Sequence, residues 1–349
     1  MPEAGERKTE DVKMQVKLTE KEIATALARI PPPPGPRPPI TAGAVVYWTW
    51  HYPKLVRRDG ARAHWEAWLG RRRFVRALRD HNPEPPAGVT RENPLVVSLL
   101  AGRKHSALAA LALLSLQQNT QRPVHPVVHD DGTLTVAHRD ELKRFFPSTH
   151  FVSTDEMCVA LDRVIPERSF PVLRGLRKGY MHLRKLTDIH ASGRGWTLVM
   201  DSDVIFYRRP EELLHAVDGC EWGHMVDCQT SYGCDVSLLR DLSGLNVHSR
   251  LNAGLLNIKS SDVDWEFLEY AAGAILAKAG FSYYLEQALL AVLMAKHGAR
   301  AFDAGQYLVN PTETQSREQR EVAHHYVDRS VLHLYRFAWQ GILGQGERR

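Results

Sequence analysis

Two aspartates in the middle of the chain stand between apolar residues. The apolar residues 198–200 precede Asp201, Ser202 and Asp203, and the apolar residues 204–206 follow them. Such a placement is costly unless a cation compensates the two charges. In extended backbone, side chains two positions apart point the same way, so the two carboxylates can face one point. Hard oxygen ligands suit Mg²⁺ or Mn²⁺, which would bridge to phosphate oxygens; an aspartate capping a turn is the alternative.

Other polar residues have the chemistry to bind a ligand. Asp130 begins an Asp-Asp-Gly sequence, and its carboxylate either accepts hydrogen bonds from ribose hydroxyls or a base N–H, or forms a turn. Asn252 offers a donor and an acceptor, and Gly254 lets a ligand approach the backbone, unless both belong to an ordinary buried strand. Glu286 precedes an apolar helix, where it stabilises the helix N-terminus, contacts ligand hydroxyls, or acts as a general base.

The chain from residue 95 alternates between strand-like and helix-like patterns. Residues 95–100 form a continuous apolar run, typical of a strand buried on both faces. Further strands are predicted at 124–128, 150–152 and 197–200, and helices at 106–118, 137–146 and 180–191. This βαβαβ order predicts an α/β fold with a mostly parallel central sheet and helices on both faces. Ligands of such sheets bind beyond the carboxyl ends of the strands, where Asp130 and Asp201 lie.

The N-terminal part of the chain has a different composition. Residues 1–40 are predicted to be an arm, with a helix capped by Thr19 and an extended proline-rich linker over residues 31–39. Residues 41–93 are rich in tryptophan and arginine, and we expect a helical extension packed on the main domain or, alternatively, part of an acceptor-binding wall. The main domain is predicted to span residues 94–349.

Composition restricts the class of partner. The chain has 349 residues and a net charge of +5, but its basic residues are scattered and accompany no nucleic-acid motif. We therefore expect a nucleotide ligand and no direct nucleic-acid partner. No apolar run approaches the roughly 18 residues of a membrane span, and the charged first twenty residues do not resemble a secretory signal. The expected compartment is the cytoplasm.

Three of the four cysteines lie close together in the sequence. Cys220, Cys228, Cys234 and His224 occupy fifteen residues, which makes a zinc site conceivable. The spacing lacks the Cys-x-x-Cys pairs of zinc ribbons, and apolar neighbours surround the thiols. We therefore expect reduced cysteines buried in a core strand.

The segment around Asp201 resembles the Asp-x-Asp signature of GT-A-type glycosyltransferases, especially the glycogenin and bacterial lipopolysaccharide galactosyltransferase-like group. Over residues 95–340, further elements resemble the family's in the same order. These are Arg184-Lys185 on the helix before the signature, Asn252-Ala253-Gly254, Glu286-Gln287, and His324-His325-Tyr326. The C-terminal region lacks the Gly and Lys-Pro-Trp that usually follow the metal-ligand histidine, and residues 1–90 have no counterpart.

The resemblance implies a GT-A-like fold and transfer of a hexose from a nucleoside diphosphate sugar, a UDP-sugar, to a hydroxyl acceptor. It favours retention of configuration, in which the departing phosphate takes the acceptor's proton; if the reaction inverts, Glu286 is the candidate base. Two alternatives stay open: a non-catalytic nucleotide-sugar-binding or scaffold protein, and a sugar nucleotidyltransferase. The latter needs a glycine-rich, basic loop after the first strand, and residues 101–105 match it only partly.

The resemblance also implies roles for individual residues. Asp201, Asp203 and His325 would bind Mn²⁺ or Mg²⁺, with His333 and then His324 as alternatives to His325. The residues implied to hold the donor sugar are Asn252, Glu286 and Gln287. Arg184 and Lys185 are implied to lie near the nucleotide, and with Asp130, Ser202 and Gly254 they complete the predicted nucleotide-binding residues.

Overall fold

The computed structural model describes residues 17–33, 46–82 and 93–344. Most of the proline-rich linker lies outside the described residues. The strands are β1 Leu95–Ala101, β2 Val124–Asp130, β3 His150–Val152, β4 Trp196–Met200, β5 Val204–Phe206, β6 Gly223–Val226, β7 Leu251–Lys259, β8 Arg300–Ala301, β9 Tyr307–Val309 and β10 Ala323–His325.

The helices surround these strands. The α-helices are α1 Glu20–Arg29, α2 Tyr52–Asp59, α3 Ala61–Asp80, α4 Ser106–Thr120, α5 Val136–Phe145, α6 Thr154–Val164, α7 Pro171–Gly179, α8 Leu183–Ser192, α9 Glu211–Asp218, α10 Val236–Ser243, α11 Trp265–Ala279, α12 Leu285–Lys296, α13 Glu313–Glu318, α14 Ser330–His333 and α15 Trp339–Ile342. Two π-helical segments, Tyr47–His51 and Leu334–Ala338, and a 3-10 turn, Ser260–Asp262, complete the elements.

The central sheet has seven strands in the order β3-β2-β1-β4-β7-β6-β8. Strand β7 is antiparallel to both of its neighbours, and the remaining pairs are parallel. The predicted α/β fold with a mostly parallel sheet is therefore confirmed. Because β1, β2, β4 and β6 run in the same direction, their carboxyl ends meet at one edge of the sheet.

The core lies on both faces of this sheet. Leu198 and Met200 belong to one buried cluster and Val199 to the other, as the alternation of side chains along a strand requires. Burial on both faces was predicted for residues 95–100, and there it is incomplete: Leu95, Val97 and Leu99 on one face are buried, whereas Val96 on the other face is 51% exposed. Helix α4 covers the first face, and helices α8, α11 and α12 cover the second.

A three-stranded sheet, in the order β5-β10-β9, stands beside the central one. Strand β5 begins directly after Asp203 and pairs antiparallel with β10. The register sets Val204 opposite His325. This pairing brings two segments that are more than a hundred residues apart to the same place.

The N-terminal helices pack on the main body. Thr19 caps helix α1, as predicted, and does so in a capping box with Glu22; the Arg29 Nη1 donates to the Leu276 carbonyl in α11 at 2.6 Å. In α3, Phe74 and Leu78 belong to the buried core. A Cβ at Gly70 would lie 2.0 Å from the Tyr335 carbonyl oxygen, so glycine is needed for this close approach. None of the described helices is long and apolar enough to cross a membrane.

The prediction of buried cysteines in a core strand is wrong. Cys220 and Cys228 are exposed, and they lie beyond the two ends of β6 rather than within it. Cys220 adopts a left-handed backbone conformation, with φ at 53°, in the turn that leads into the strand. The apolar residues of β6 are buried, but the strand is too short to include either thiol.

Candidate functional site

Asp201, Asp203 and His325 form one cluster at the carboxyl edge of β4. Their ligand atoms all lie within 4.8 Å of one another. The His325 Nε2 is 3.2 Å from the Asp203 Oδ1 and 3.8 Å from the Asp201 Oδ2. The β5–β10 pairing explains the approach, because Tyr326 N donates to the Asp203 carbonyl at 3.0 Å just beyond the ladder. Two carboxylates and one imidazole are suitable ligands for a divalent ion such as Mn²⁺.

The partner of the other His325 nitrogen is Asn252. Its Oδ1 lies 2.9 Å from the His325 Nδ1, while its Nδ2 donates to the Asp227 Oδ2 at 3.2 Å. A carboxylate only accepts, so the amide must point its NH₂ at Asp227 and its oxygen at the ring. The His325 Nδ1 therefore carries a proton, and its Nε2 faces the two aspartates. Partners of this kind orient the imidazole ligands of metals.

The absence of a side chain at Gly254 leaves room for the His325 ring. The antiparallel β4–β7 ladder puts Gly254 beside Asp201, whose N–H donates to the Gly254 carbonyl at 2.8 Å. A Cβ on Gly254 would lie 2.5 Å from the His325 Nδ1 and 2.6 Å from its Cε1. Among the described residues, the group that approaches this backbone most closely is thus the imidazole; the ligand contact expected at Gly254 stays a prediction.

Asp227 is a site residue that the sequence analysis missed. Its Oδ2 accepts from Asn252 and also from the Gln287 Nε2 at 3.2 Å, and Gln287 donates again to the Ser231 carbonyl at 2.9 Å. Asp227 therefore links Gln287 on α12 to Asn252 on β7. Its position directly after β6 was the available signal, because β6 ends at the same edge of the sheet as β4.

A buried lysine lies behind the aspartates. The Lys185 Nζ donates to both Asp201 oxygens, at 2.9 and 3.0 Å, and to the Ala253 carbonyl at 3.0 Å. It is also 3.6 Å from the Glu286 Oε1. Burial lowers the pKa of Lys185, but the negative charges of Asp201 and Glu286 outweigh it and hold that pKa above its usual value. Lys185 is therefore a permanent cation in the site.

Glu286 is the second buried carboxylate here. Burial raises its pKa, Lys185 lowers it and Asp201 raises it, with a result of about 7. The Glu286 Oε1 is buried and has no hydrogen-bond partner among the described residues. A buried polar oxygen without a partner is costly, so it is a place where a hydroxyl of a bound molecule would be stabilised.

The cluster shifts the pKa values of Asp203 and His325 in opposite directions. Burial raises the pKa of Asp203, but the His325 imidazole more than compensates and that pKa lies below its usual value. Burial lowers the pKa of His325, and Asp203 and Asp201 reverse the effect and raise it. The negative potential that attracts a proton to the imidazole equally attracts a cation.

The other two histidines near the C-terminus point elsewhere. His324 neighbours His325 in β10, so its side chain lies on the opposite face, where Nε2 is 2.9 Å from the Glu321 Oε2. His333 was expected either as a metal ligand or as a buried strand residue, but it lies on helix α14. Helix formation there leaves His333 outside the cluster of Asp201 and Asp203.

Asp130 and Arg184, two of the predicted nucleotide contacts, use polar atoms within the described part of the protein, whereas a third, Ser202, does not. The Asp130 Oδ1 accepts from the backbone of residues 132–134, and its Oδ2 is 2.7 Å from the Arg139 Nη2. The turn interpretation of Asp130 therefore describes its contacts. Arg184 donates from Nη1 to the Asp131 carbonyl at 3.2 Å, and its buried Nε has no partner among the described residues. Ser202 is half-buried in the turn between the aspartates, and its hydroxyl bonds to none of the described residues.

Helix α3 contributes a cation that the sequence analysis did not consider. The Arg71 guanidinium carbon lies 5.7 Å from the Tyr335 ring centroid. The pKa of His105 lies below its usual value, mainly because the ring is buried and next because Lys104 is close. Asp203 and Asp131 oppose this shift, and the positive charge of Arg71 adds to it. Arg71 makes no ion pair with the described residues. Arg71 lies in the arginine-rich segment 41–93, for which an acceptor-binding wall was the alternative interpretation, but no motif singled out this arginine.

Comparison with known proteins gives similarities only among solved structures. No family model matches the sequence, and no curated protein matches it. Mouse xyloside xylosyltransferase 1, in its apo form, is 11% identical with a TM-score of 0.46, over 67% of this chain and 97% of that chain. The galactosyltransferase LgtC, in complex with donor and acceptor sugar analogs, is 14% identical with a TM-score of 0.46, over 72% and 95%.

A third similar structure is core-mannan synthase A from Aspergillus fumigatus in its Mn/GDP form. It is 9% identical with a TM-score of 0.37, over 64% of this chain and 77% of that chain. The three structures to which the chain is similar are thus a xylosyltransferase, a galactosyltransferase and a core-mannan synthase.

Proposed function

We propose that this chain is a glycosyltransferase that moves a hexose from a UDP-sugar to a hydroxyl acceptor, depends on a divalent metal and retains the anomeric configuration. The cluster of Asp201, Asp203 and His325 carries the proposal. It lies at the carboxyl edge of the central sheet, where nucleotide ligands of α/β proteins bind. The hydrogen-bonded chain from Gln287 through Asp227 and Asn252 to His325 supports it, because it orders the imidazole for ligation.

The residues present fit Mn²⁺ or Mg²⁺. Two hard oxygen donors and one imidazole nitrogen converge, and the imidazole is oriented with Nε2 towards the carboxylates. When bound, such an ion would neutralise the charge that develops on a departing diphosphate. Imidazole is a better ligand for Mn²⁺ than for Mg²⁺, so we propose Mn²⁺ as the preferred ion.

Lys185 would position Asp201 and add positive charge. It donates to both oxygens of that carboxylate, so the Asp201 side chain cannot rotate freely. Its cationic charge persists at neutral pH, because the neighbouring carboxylates raise its pKa. A fixed cation close to the departing group stabilises negative charge without reorganisation.

Glu286, Gln287 and Asn252 would hold the sugar. The unpartnered Glu286 Oε1 can accept a hydrogen bond from a sugar hydroxyl. Glu286 is only 5% exposed and lies 3.6 Å from Lys185, which favours a holding role over that of a base that an acceptor must reach. We therefore propose that the departing phosphate oxygen takes the acceptor's proton.

The sugar nucleotidyltransferase alternative has a specific obstacle. Its triphosphate would need the loop after β1, but the Asp131 carboxylate packs on that loop. A Cβ on Gly102 would lie 2.0 Å from the Asp131 Oδ2. A negative side chain against the loop repels a triphosphate.

A panel of nucleotide sugars incubated with Mn²⁺, with Mg²⁺ or with a chelator tests the proposal. We expect release of free UDP from one donor, only with metal. Binding of UDP-sugars without turnover, even when acceptor sugars are supplied, would leave a binding or scaffold role. Pyrophosphate release from a nucleoside triphosphate and a sugar phosphate would establish the nucleotidyltransferase instead.

A further inference from the structure

Helix α3 has an outward face of tryptophan and arginine. Trp65 is 60% exposed and Trp68 46%. Arg72, Arg76 and Arg79 are also exposed, and the spacing from Trp65 of three, seven, eleven and fourteen residues puts all five on one side of the helix. The buried side of α3, which includes Ala67, Gly70, Phe74 and Leu78, packs on the body. The outward face therefore has no part in the fold's core.

The exposed aromatic rings on this helix form a compact patch. The Trp65 and Trp68 rings stack with centroids 5.0 Å apart and planes 20° apart, and the Arg72 guanidinium lies 4.4 Å from the Trp68 centroid. Six of the thirteen large apolar side chains exposed among the described residues lie between Val46 and Val75. Exposed apolar groups concentrated in this way mark an interaction site.

The segment of residues 46–82, which includes α3, is strongly basic. Residues 46–82 contain nine Lys or Arg and three Asp or Glu, whereas the whole chain has a net charge of +5. Two of the acidic residues are already paired, Asp59 with Arg58 and Glu66 with Arg336. A symmetric dimer through this face would set the cations of one copy against those of the other. Charge complementarity thus favours an anionic partner over a second copy.

We propose that the outward face of α3 docks the protein on an anionic membrane surface. Tryptophan side chains prefer the boundary between lipid headgroups and acyl chains, and arginine side chains attract lipid phosphates. Trp65 and Trp68 would insert at that boundary while Arg72, Arg76 and Arg79 contact the headgroups. A nucleic acid fits less well, because the two indoles stack on each other and Arg72 covers one of them, so they are not separated to receive bases.

Flotation of the full chain with lipid vesicles tests the docking surface. We expect binding to vesicles of phosphatidylcholine mixed with phosphatidylglycerol, weak binding to phosphatidylcholine alone, and loss of binding at high salt. Both W65S/W68S and R72E/R76E should lower the partition constant by at least about tenfold. The matched control is R163E/R168E, which makes the same change of charge at exposed positions on and after α6 and should bind like the unaltered chain.

Brominated lipids give a second readout, because they quench tryptophan that reaches the acyl region. Quenching should occur with the unaltered chain and disappear in W65S/W68S. Equal binding to neutral and anionic vesicles, or full binding by either α3 variant, would overturn the proposal. So would a dimer in sedimentation that R72E/R76E abolishes, or binding of an RNA or DNA oligonucleotide in place of vesicles. UDP release in solution by R72E/R76E should stay unchanged, so failure here is distinguishable from failure of the proposed transferase activity.

Discussion

Replacing Gly254 by alanine tests whether His325 depends on this close approach. The added Cβ would lie 2.5 Å from the His325 Nδ1, 2.6 Å from its Cε1 and 2.9 Å from the Asn252 Oδ1. Ordinary contact begins at 3.4 Å, so the ring must move by nearly an ångström. It is 4% exposed and lies within a packed sheet, so the strain should cost about 1–3 kcal/mol of unfolding free energy.

The larger effect should be on metal binding. Moving the ring breaks its hydrogen bond to Asn252 and shifts Nε2 relative to Asp203. Loss of the group that orients a histidine ligand typically costs about 10–100-fold in metal affinity. We therefore expect Gly254→Ala to raise the Mn²⁺ concentration for half-maximal UDP binding by about that factor. Calorimetric titration of Mn²⁺ in the presence of UDP measures it, and thermal unfolding reports the fold.

A double-mutant cycle isolates the mechanism. In a His325→Ala background the ring is gone, so adding Gly254→Ala should change the Mn²⁺ requirement little further. Gly195→Ala is the matched control, because no atom lies within 4 Å of its Cβ position. An unaltered Mn²⁺ requirement in Gly254→Ala, or fully additive losses in the cycle, would refute the reasoning that Gly254 acts through His325.

Three further predictions follow from the site and the core. Asp203→Ala should abolish metal-dependent UDP release while keeping the thermal unfolding midpoint within a few degrees, and wild-type turnover would move the site elsewhere. Arg71→Ala should raise the KM for the nucleotide sugar by about tenfold, because a free cation near Tyr335 is lost; Arg73→Ala, on the same helix, is its control. Burial lowers the pKa of His129 to about 4 and of His190 to about 3, so both stay neutral in the fold while the unfolded chain protonates near 6.5. The free energy of unfolding should thus decrease as the pH is lowered below about 6.5, by up to about 2 kcal/mol per histidine at pH 5. Urea unfolding should show a smaller fall in His190→Asn, and an equal fall would contradict this account.

Much of the central sheet could be predicted from local patterns. The apolar runs at residues 95–100 and 197–200 have strand length, and the helices between them have helical periodicity, so element type and order follow from the sequence. The Asp-x-Asp pair could be placed at a strand end for the same reason. The extended backbone expected across the pair is instead a turn, in which Val204 N donates to the Asp201 carbonyl at 3.3 Å, so the convergence of the two carboxylates did not follow from strand geometry.

The N-terminal cap of helix α1 could also be predicted from neighbouring residues in the sequence. Thr19 and Glu22 form the capping box of α1, since the side chains involved are three residues apart. The cysteines show the limit of such local interpretation. Apolar neighbours indicated a core strand, but its length depends on pairing with β7 and β8, and the thiols lie outside it.

The sequence by itself determined the α/β order, the position of Asp201 and Asp203 at a strand end, and the candidate ligands among the C-terminal histidines. Only the tertiary structure decided that His325 meets Asp203, because the antiparallel pairing of β5 with β10 fixes the register and turns His324 to the opposite face. It likewise decided that Asp227 joins Asn252 to Gln287, and that Arg71 lies near Tyr335. These contacts join segments far apart in the chain, and side-chain periodicity describes only which face of its own element a residue occupies.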